Sequence, residues 1–308
     1  MNGRIGLLAA VLVVQLVIVA AFLWNQNRAE SAAEKLLDLD AKQVDHIVIA
    51  DASEKIDLVR KDDVWTVGDA PADATKANKL VNDFAGFESA WPVATTDTSA
   101  ERFEVTEEKF QRRITFGAGD EVLGDVLLGT SPGFQRVHAR RVDAEAIYAV
   151  NFSNFQASTK ADDWIDKAVL ASDGVIKSVV APSGFKLEKN SEGWLLDGAA
   201  ANQDTATTFA ERFENLRIIG TAEAAGPTAK GVFAVVDSKG EFTLELSQGS
   251  EDTEYVVKSS RRPGFYRIAA YIAEQMLEDK DELEPKTQDA TGGTTEVTSP
   301  ADPVGEGA

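Results

Sequence analysis

"VWTVGDAPADATKANKLVNDFAGF" runs from Val64 to Phe87, and "GWLLDGAAANQDTATTFAERFENL" runs from Gly193 to Leu216. Each reads as a tryptophan-bearing strand, a turn, an Asp or Asn placed to cap a helix, and then an amphipathic helix. Trp65 pairs with Trp194, Asp73 with Asn202, Leu80 with Phe209, Phe84 with Phe213 and Phe87 with Leu216, in every case 129 residues apart. Each pair keeps one physical role: strand aromatic, cap or helix core. The chain therefore contains an internal repeat.

The flanks extend it. "VDHIVIA" and "KIDLVR" are rich in β-branched residues and joined by "DASE", which predicts a hairpin before the first tryptophan strand. "VIKSVVA" and "FKLEK" hold the same place in the second copy. Strands follow both helices: "RRITF" and "VLGDVLLG" in the first, "VFAVV", "EFTLELS" and "EYVVKS" in the second. The fold expected is α+β, with two duplicated modules over residues 44–170 and 171–277, each an antiparallel sheet packed with one main helix.

"TSPGFQRV" (Thr130–Val137) and "RRPGFYRI" (Arg261–Ile268) repeat Pro-Gly-Phe-x-Arg at a separation of 131 residues. Pro-Gly suits a tight turn. Gly133, Phe134, Gly264 and Phe265 are read as markers of the duplicated fold, each Phe opening a strand. A duplicated ligand loop is the other reading.

"IGLLAAVLVVQLVIVAAFLW" (Ile5–Trp24) is a twenty-residue run with Gln15 as its one clearly polar member. At about 1.5 Å per residue it matches the roughly 30 Å hydrocarbon core of a bilayer. No cleavage signal follows, so residues 1–28 are expected to be a short cytoplasmic tip and a retained transmembrane signal anchor. Arg4 before the span weakly favours a cytoplasmic N-terminus, with the remainder exported. "AESAAEKLLDL" predicts a stalk helix within 29–43. Residues 278–308 hold nine acidic and two basic residues and almost no large apolar ones, so a disordered acidic tail is expected there.

A formal charge of −20 argues against nucleic acid as a partner. The absence of cysteine excludes disulfides, zinc–thiolate sites and a thiol nucleophile. His46 and His138 have no metal-binding spacing, and no cofactor is expected. Ser131, His138 and Asp143 could be imagined as a triad, but no nucleophile elbow supports one. Arginine pairs stand out in so acidic a chain. Arg112, Arg113, Arg140 and Arg141 are candidate contacts for an acidic partner, or else strand-edge charge that discourages aggregation.

"ADDWIDKAVL", with Trp164, Asp166, Lys167 and Leu170, together with the W-x-[VL] strand before a capped helix, resembles the family named domain of unknown function 4340. The resemblance spans roughly Leu36 to Leu277. It implies a bacterial inner-membrane protein, single-pass, with its bulk in the periplasm and no catalytic residues. It also implies a place beside the membrane subunits of gliding-motility-type ABC transporters. The expected function is a non-enzymatic accessory or scaffold subunit of an ABC-type transport system, contacting lipid through its N-terminal helix. The alternatives are an exported binding module for a cell-envelope polymer or lipid, and an envelope hydrolase using carboxylates.

Overall fold

The structure, a computed structural model, describes residues 12–21, 34–89, 91–251, 253–277 and 280–285. Residues 12–21 form a helix, α1, whose side chains are all exposed. Among the described residues no helix is long and apolar enough to cross a membrane. The expected span of residues 5–24 is described only in this middle part, and its two ends lie outside the described residues.

The first module begins with a short strand β1 (Glu34–Lys35), where a stalk helix was expected. The sequence there has helix-forming composition, but Leu36, Leu37 and Leu39 are all buried in the core and the Leu36 N–H donates to the Phe87 carbonyl at 2.8 Å. Tertiary burial of three leucines overrides a weak local propensity. Residues 29–33 of the expected stalk lie outside the described residues.

Then come β2 (His46–Ala50), β3 (Lys55–Lys61), β4 (Val64–Val67), β5 (Ala70–Pro71), α2 (Ala74–Gly86), β6 (Glu88–Ser89), α3 (Asp97–Phe103), β7 (Arg112–Ala118), β8 (Glu121–Leu128), β9 (Val137–Arg141) and β10 (Ile147–Val150). The second module holds β11 (Ser178–Val180), β12 (Lys186–Lys189), β13 (Trp194–Leu196), β14 (Ala199–Ala200), α4 (Gln203–Glu214), β15 (Gly220–Ala222), β16 (Thr228–Asp237), β17 (Gly240–Gln248), β18 (Glu254–Ser259), β19 (Phe265–Ala269) and α5 (Ala270–Met276).

The two large sheets share one strand order. The first runs β5-β4-β3-β2-β7-β8-β9-β10, and the second β14-β13-β12-β11-β16-β17-β18-β19 with β15 added at its far edge. All neighbours pair antiparallel. Even β15 has a counterpart, a single antiparallel bridge from Ala94 to Ile147 on the outer side of β10. In each module one long helix lies on the sheet, capped by Asp73 in the first and Asn202 in the second. Phe84 of α2 meets Phe116 of β7 at 5.3 Å between ring centroids, and Phe213 of α4 meets Phe233 of β16 at 5.4 Å. One continuous apolar core runs from Leu36 to Leu283 through both modules.

The Pro-Gly-Phe motifs do not hold equivalent positions. Thr130–Val137 connects β8 to β9, whereas Arg261–Ile268 connects β18 to β19. Successive connections of an antiparallel meander lie at opposite ends of the sheet, so Gly133 and Phe134 have no counterparts in Gly264 and Phe265. Phe265 does open a strand. Phe134 stays in the turn, 90% exposed.

The second module continues past Leu277. Lys280–Leu283 forms a turn of 3₁₀-helix, and the buried Leu283 accepts the Asn202 N–H through its carbonyl at 2.9 Å. Residues 280–283 of the expected tail therefore pack against the fold, because one leucine among the acids is enough to seat them. Residues 286–308 lie outside the described residues.

Candidate functional site

The segment "ADDWIDKAVL" is placed where the two modules meet. Ala161–Asp163 makes a 3₁₀ turn, closed by the Trp164 N–H donating to the Ala161 carbonyl at 2.8 Å. Trp164 is fully buried, its indole N–H donates to the Ser158 carbonyl at 2.8 Å, and the Lys76 ammonium sits 4.5 Å from its ring centroid. Burial holds that ammonium below the usual lysine range, against the opposing pull of Asp163 and Asp73. The Trp164 carbonyl accepts the Asp73 N–H at 2.7 Å, and the Asp166 N–H donates to the Pro71 carbonyl at 2.9 Å. The segment thus closes the entry to α2.

Its other side grips the second module. An Asp162 oxygen lies 2.6 Å from Arg267 Nη2, and its other oxygen accepts the Thr221 N–H at 3.1 Å. Lys167 Nζ donates to the carbonyls of Asp162 (2.6 Å) and Ile219 (2.8 Å), while the Ile218 N–H returns to the Lys167 carbonyl at 3.0 Å. Arg267 also reaches Glu254 at 3.0 Å. A β-carbon at Gly220 would meet Asp162 Oδ2 and Arg267 Nη2, so a larger residue there would displace the ends of this ion pair. Charge-assisted hydrogen bonds in this number fix the modules relative to each other.

Beside this seam lies a cleft of about 600 Å³. Val67 and Ala70 of the first module, Ile165 of the seam, and Ala222, Phe265 and Tyr266 of the second line it, with Asp69 and Glu223 at its exposed rim. The Tyr266 hydroxyl donates to the Pro263 carbonyl at 2.7 Å and holds the Pro-Gly turn, where Gly264 takes φ +92°. Burial raises the Tyr266 hydroxyl above the usual phenol range, so it stays a donor. The second Pro-Gly-Phe stretch therefore forms one wall of a cleft between modules. It is an apolar slot with a carboxylate rim, suited to an apolar side chain flanked by positive charge.

The four candidate partner arginines do not form a free basic surface. Arg113 makes a two-pronged pair with Asp125, at 3.0 and 2.5 Å. Arg112 donates to the Ala157 carbonyl at 2.9 Å and lies 3.3 Å from Asp51. Arg140 donates to the carbonyls of Val105 (2.6 Å) and Ala144 (2.9 Å), and Arg141 pairs with Asp143 at 2.5 Å. Each guanidinium is engaged within the first module. Arg261 of the second module is engaged more deeply: it binds the fully buried Asp237 at 2.6 Å and Asp173 at 3.2 Å. Hydrogen bonding from Arg261 outweighs burial and holds Asp237 down to about 2.

Ser131, His138 and Asp143 are not arranged as a triad. Ser131 Oγ donates to the carbonyl of Gly133 or of Arg136, and Asp143 faces Arg141. His138 is buried, stacked on Phe103 at 3.9 Å, with Nδ1 3.0 Å from the Thr130 hydroxyl. Burial first, then Arg102 and Arg136, lower its pKa below the usual histidine range, although its contact with Thr130 opposes them. His46 lies at the start of β2, 3.7 Å from Asp57. The seam pair Asp162–Arg267 joins residues 105 apart; the one sequence signal that reached it was the W-x-D-K pattern around Lys167.

No curated protein and no solved structure matches the chain. The family model for domain of unknown function DUF4340 matches residues 68–232, from the β4–β5 turn into β16. That stretch includes both helix caps and the whole seam segment, and it covers more than half of the chain. The chain belongs to the DUF4340 family.

Proposed function

We propose that the protein is a non-enzymatic accessory or scaffold subunit of an ABC-type transport system in the cell envelope. The apolar run of residues 5–24 holds it in the inner membrane, and the two-module body stands on the periplasmic side. The observation that carries this reading is the seam: Asp162, Lys167 and Arg267 pin two modules into one body and leave a cleft between them. Long arginines and a buried histidine serve packing, as a spacer with a fixed docking face requires. The exposed apolar side chains of α1 support an anchor, since a contiguous apolar surface of that kind needs a lipid or protein cover.

The seam cleft is the proposed seat for a transporter membrane subunit, with Asp69 and Glu223 selecting a basic segment. Purification of the full chain from membranes in mild detergent tests this. Transporter membrane subunits should co-purify, and raised salt should weaken the association because the rim is charged. Recovery of the chain alone would refute the reading. A reporter active only after export, fused after residue 288, should be active; activity of a cytoplasmic reporter there would refute the topology.

A further inference from the structure

Two adjoining clefts in the first module, of about 690 and 310 Å³, share Gln135, Phe152 and Ser153 in their lining. The larger is bounded by the C-terminal half of α2, the turn before β9 and the segment after β10. Asn82, Gln135 and Asn151 each bring a side-chain amide to it, and none of the three makes an intramolecular side-chain hydrogen bond among the described residues. In the smaller cleft, Asn154 Nδ2 donates to Gln111 Oε1 at 2.7 Å and to the Gly129 carbonyl at 3.0 Å. Its Oδ1 is buried without a partner, the one such side-chain atom among the described residues. A buried acceptor of this kind is satisfied by an ordered water or by a donor from a bound molecule.

Two further features point to a ligand. Phe134 and Phe155 are 90% and 92% exposed, outside the core, and Phe155 lines the smaller cleft. Gln135 takes φ +52°, a left-handed conformation that a glycine would adopt without strain. Strain held at a long side chain in a cleft mouth is the pattern of a binding residue.

The chemistry selects the ligand class. Lys79 is paired with Asp83 at 2.6 Å and Arg112 with Asp51 at 3.3 Å, while Arg136 donates to the Ala149 carbonyl at 2.7 Å and keeps its positive charge at the smaller cleft. Primary amides both donate and accept, which matches hydroxyl and acetamido groups. Exposed aromatic rings offer flat apolar faces for the C–H faces of pyranose rings. Lipid chains would leave the amides unpaired, at a cost. We infer that these joined clefts bind an oligosaccharide, with Gln135 and Phe155 as contact residues. This does not depend on the transporter reading.

The test is calorimetry and saturation-transfer NMR on the full chain in detergent, with the hexamer of N-acetylglucosamine as probe. The wild-type protein should bind it. Phe155→Ala and Gln135→Gly should each weaken binding about tenfold. Gln135→Gly also removes backbone strain, so its unfolding temperature should be unchanged or higher, which separates lost binding from lost folding. The inference is overturned if the hexamer does not bind, if both variants bind it as well as wild type, or if a neutral extended peptide binds better than the hexamer.

Discussion

The indole N–H of Trp65 donates to Asn78 at 2.9 Å, and that of Trp194 donates to Thr207 at 3.1 Å, both partners lying thirteen residues on along the capped helix. The Trp65 carbonyl accepts the Ala72 N–H at 2.8 Å and the Trp194 carbonyl the Ala201 N–H at 3.0 Å. Arg60 covers one ring at 5.4 Å and Lys189 the other at 5.2 Å. Each tryptophan ties its strand to its helix in the same way. Trp65→Phe and Trp194→Phe should therefore each cost about 1–3 kcal/mol, the sum of a lost hydrogen bond and a small cavity. Urea unfolding of the two variants measures this.

The caps behave as a second matched pair. Asp73 accepts the Lys76 N–H at 3.0 Å, and Asn202 the Thr205 N–H at 3.5 Å. Asp73→Ala and Asn202→Ala should each lose about 0.5–2 kcal/mol, with the shorter bond at Asp73 giving the larger loss. Thermal unfolding of the single variants ranks them.

Acid should destabilise the fold in two stages. His138 has a folded pKa below its ordinary value, so the unfolded chain takes up its proton first and stability begins to fall as the pH drops below about 6.5. Asp237 has a folded pKa of about 2 against an ordinary 3.8. Its contribution is complete above about pH 5 and is lost as the pH falls toward 2, up to about 2 kcal/mol in all. Asp51 is likewise held down to about 2, so Asp237→Asn should shrink the lower stage without abolishing it, and His138→Phe should flatten the upper one, in unfolding curves recorded across pH.

Much of the fold was legible in the sequence because its signals are local. An aromatic strand, a cap and a helical stripe are each set within a few residues, so Trp65, Asp73 and Phe84 could be matched to Trp194, Asn202 and Phe213. Turn chemistry is local too, and for that reason it misled: Pro-Gly serves any tight connection, and the two copies sit at opposite ends of their sheets. Some partners of the arginines were illegible because they are distant. Arg113 meets Asp125 across a hairpin, and Arg140 reaches a carbonyl 35 residues away. Leu36 to Leu39 read as helix because nothing nearby shows that Leu36 will bond to Phe87.

The seam makes a steric prediction. Gly220→Ala should push the ends of Asp162 and Arg267 apart and cost about 1 kcal/mol, the worth of a partly exposed ion pair. Asp162→Ala removes the same pair and should cost about as much. Limited proteolysis between the modules should accelerate in both variants.

The most direct measurement of the scaffold role is capture of transporter membrane subunits by the full chain and by Ala222→Trp, which fills the seam cleft while leaving Asp162 and Arg267 in place. Wild type should retain the subunits in mild detergent, and Ala222→Trp should lose them while unfolding at the same temperature. Equal capture by both proteins, or capture by neither, would contradict a partner seated between the two modules.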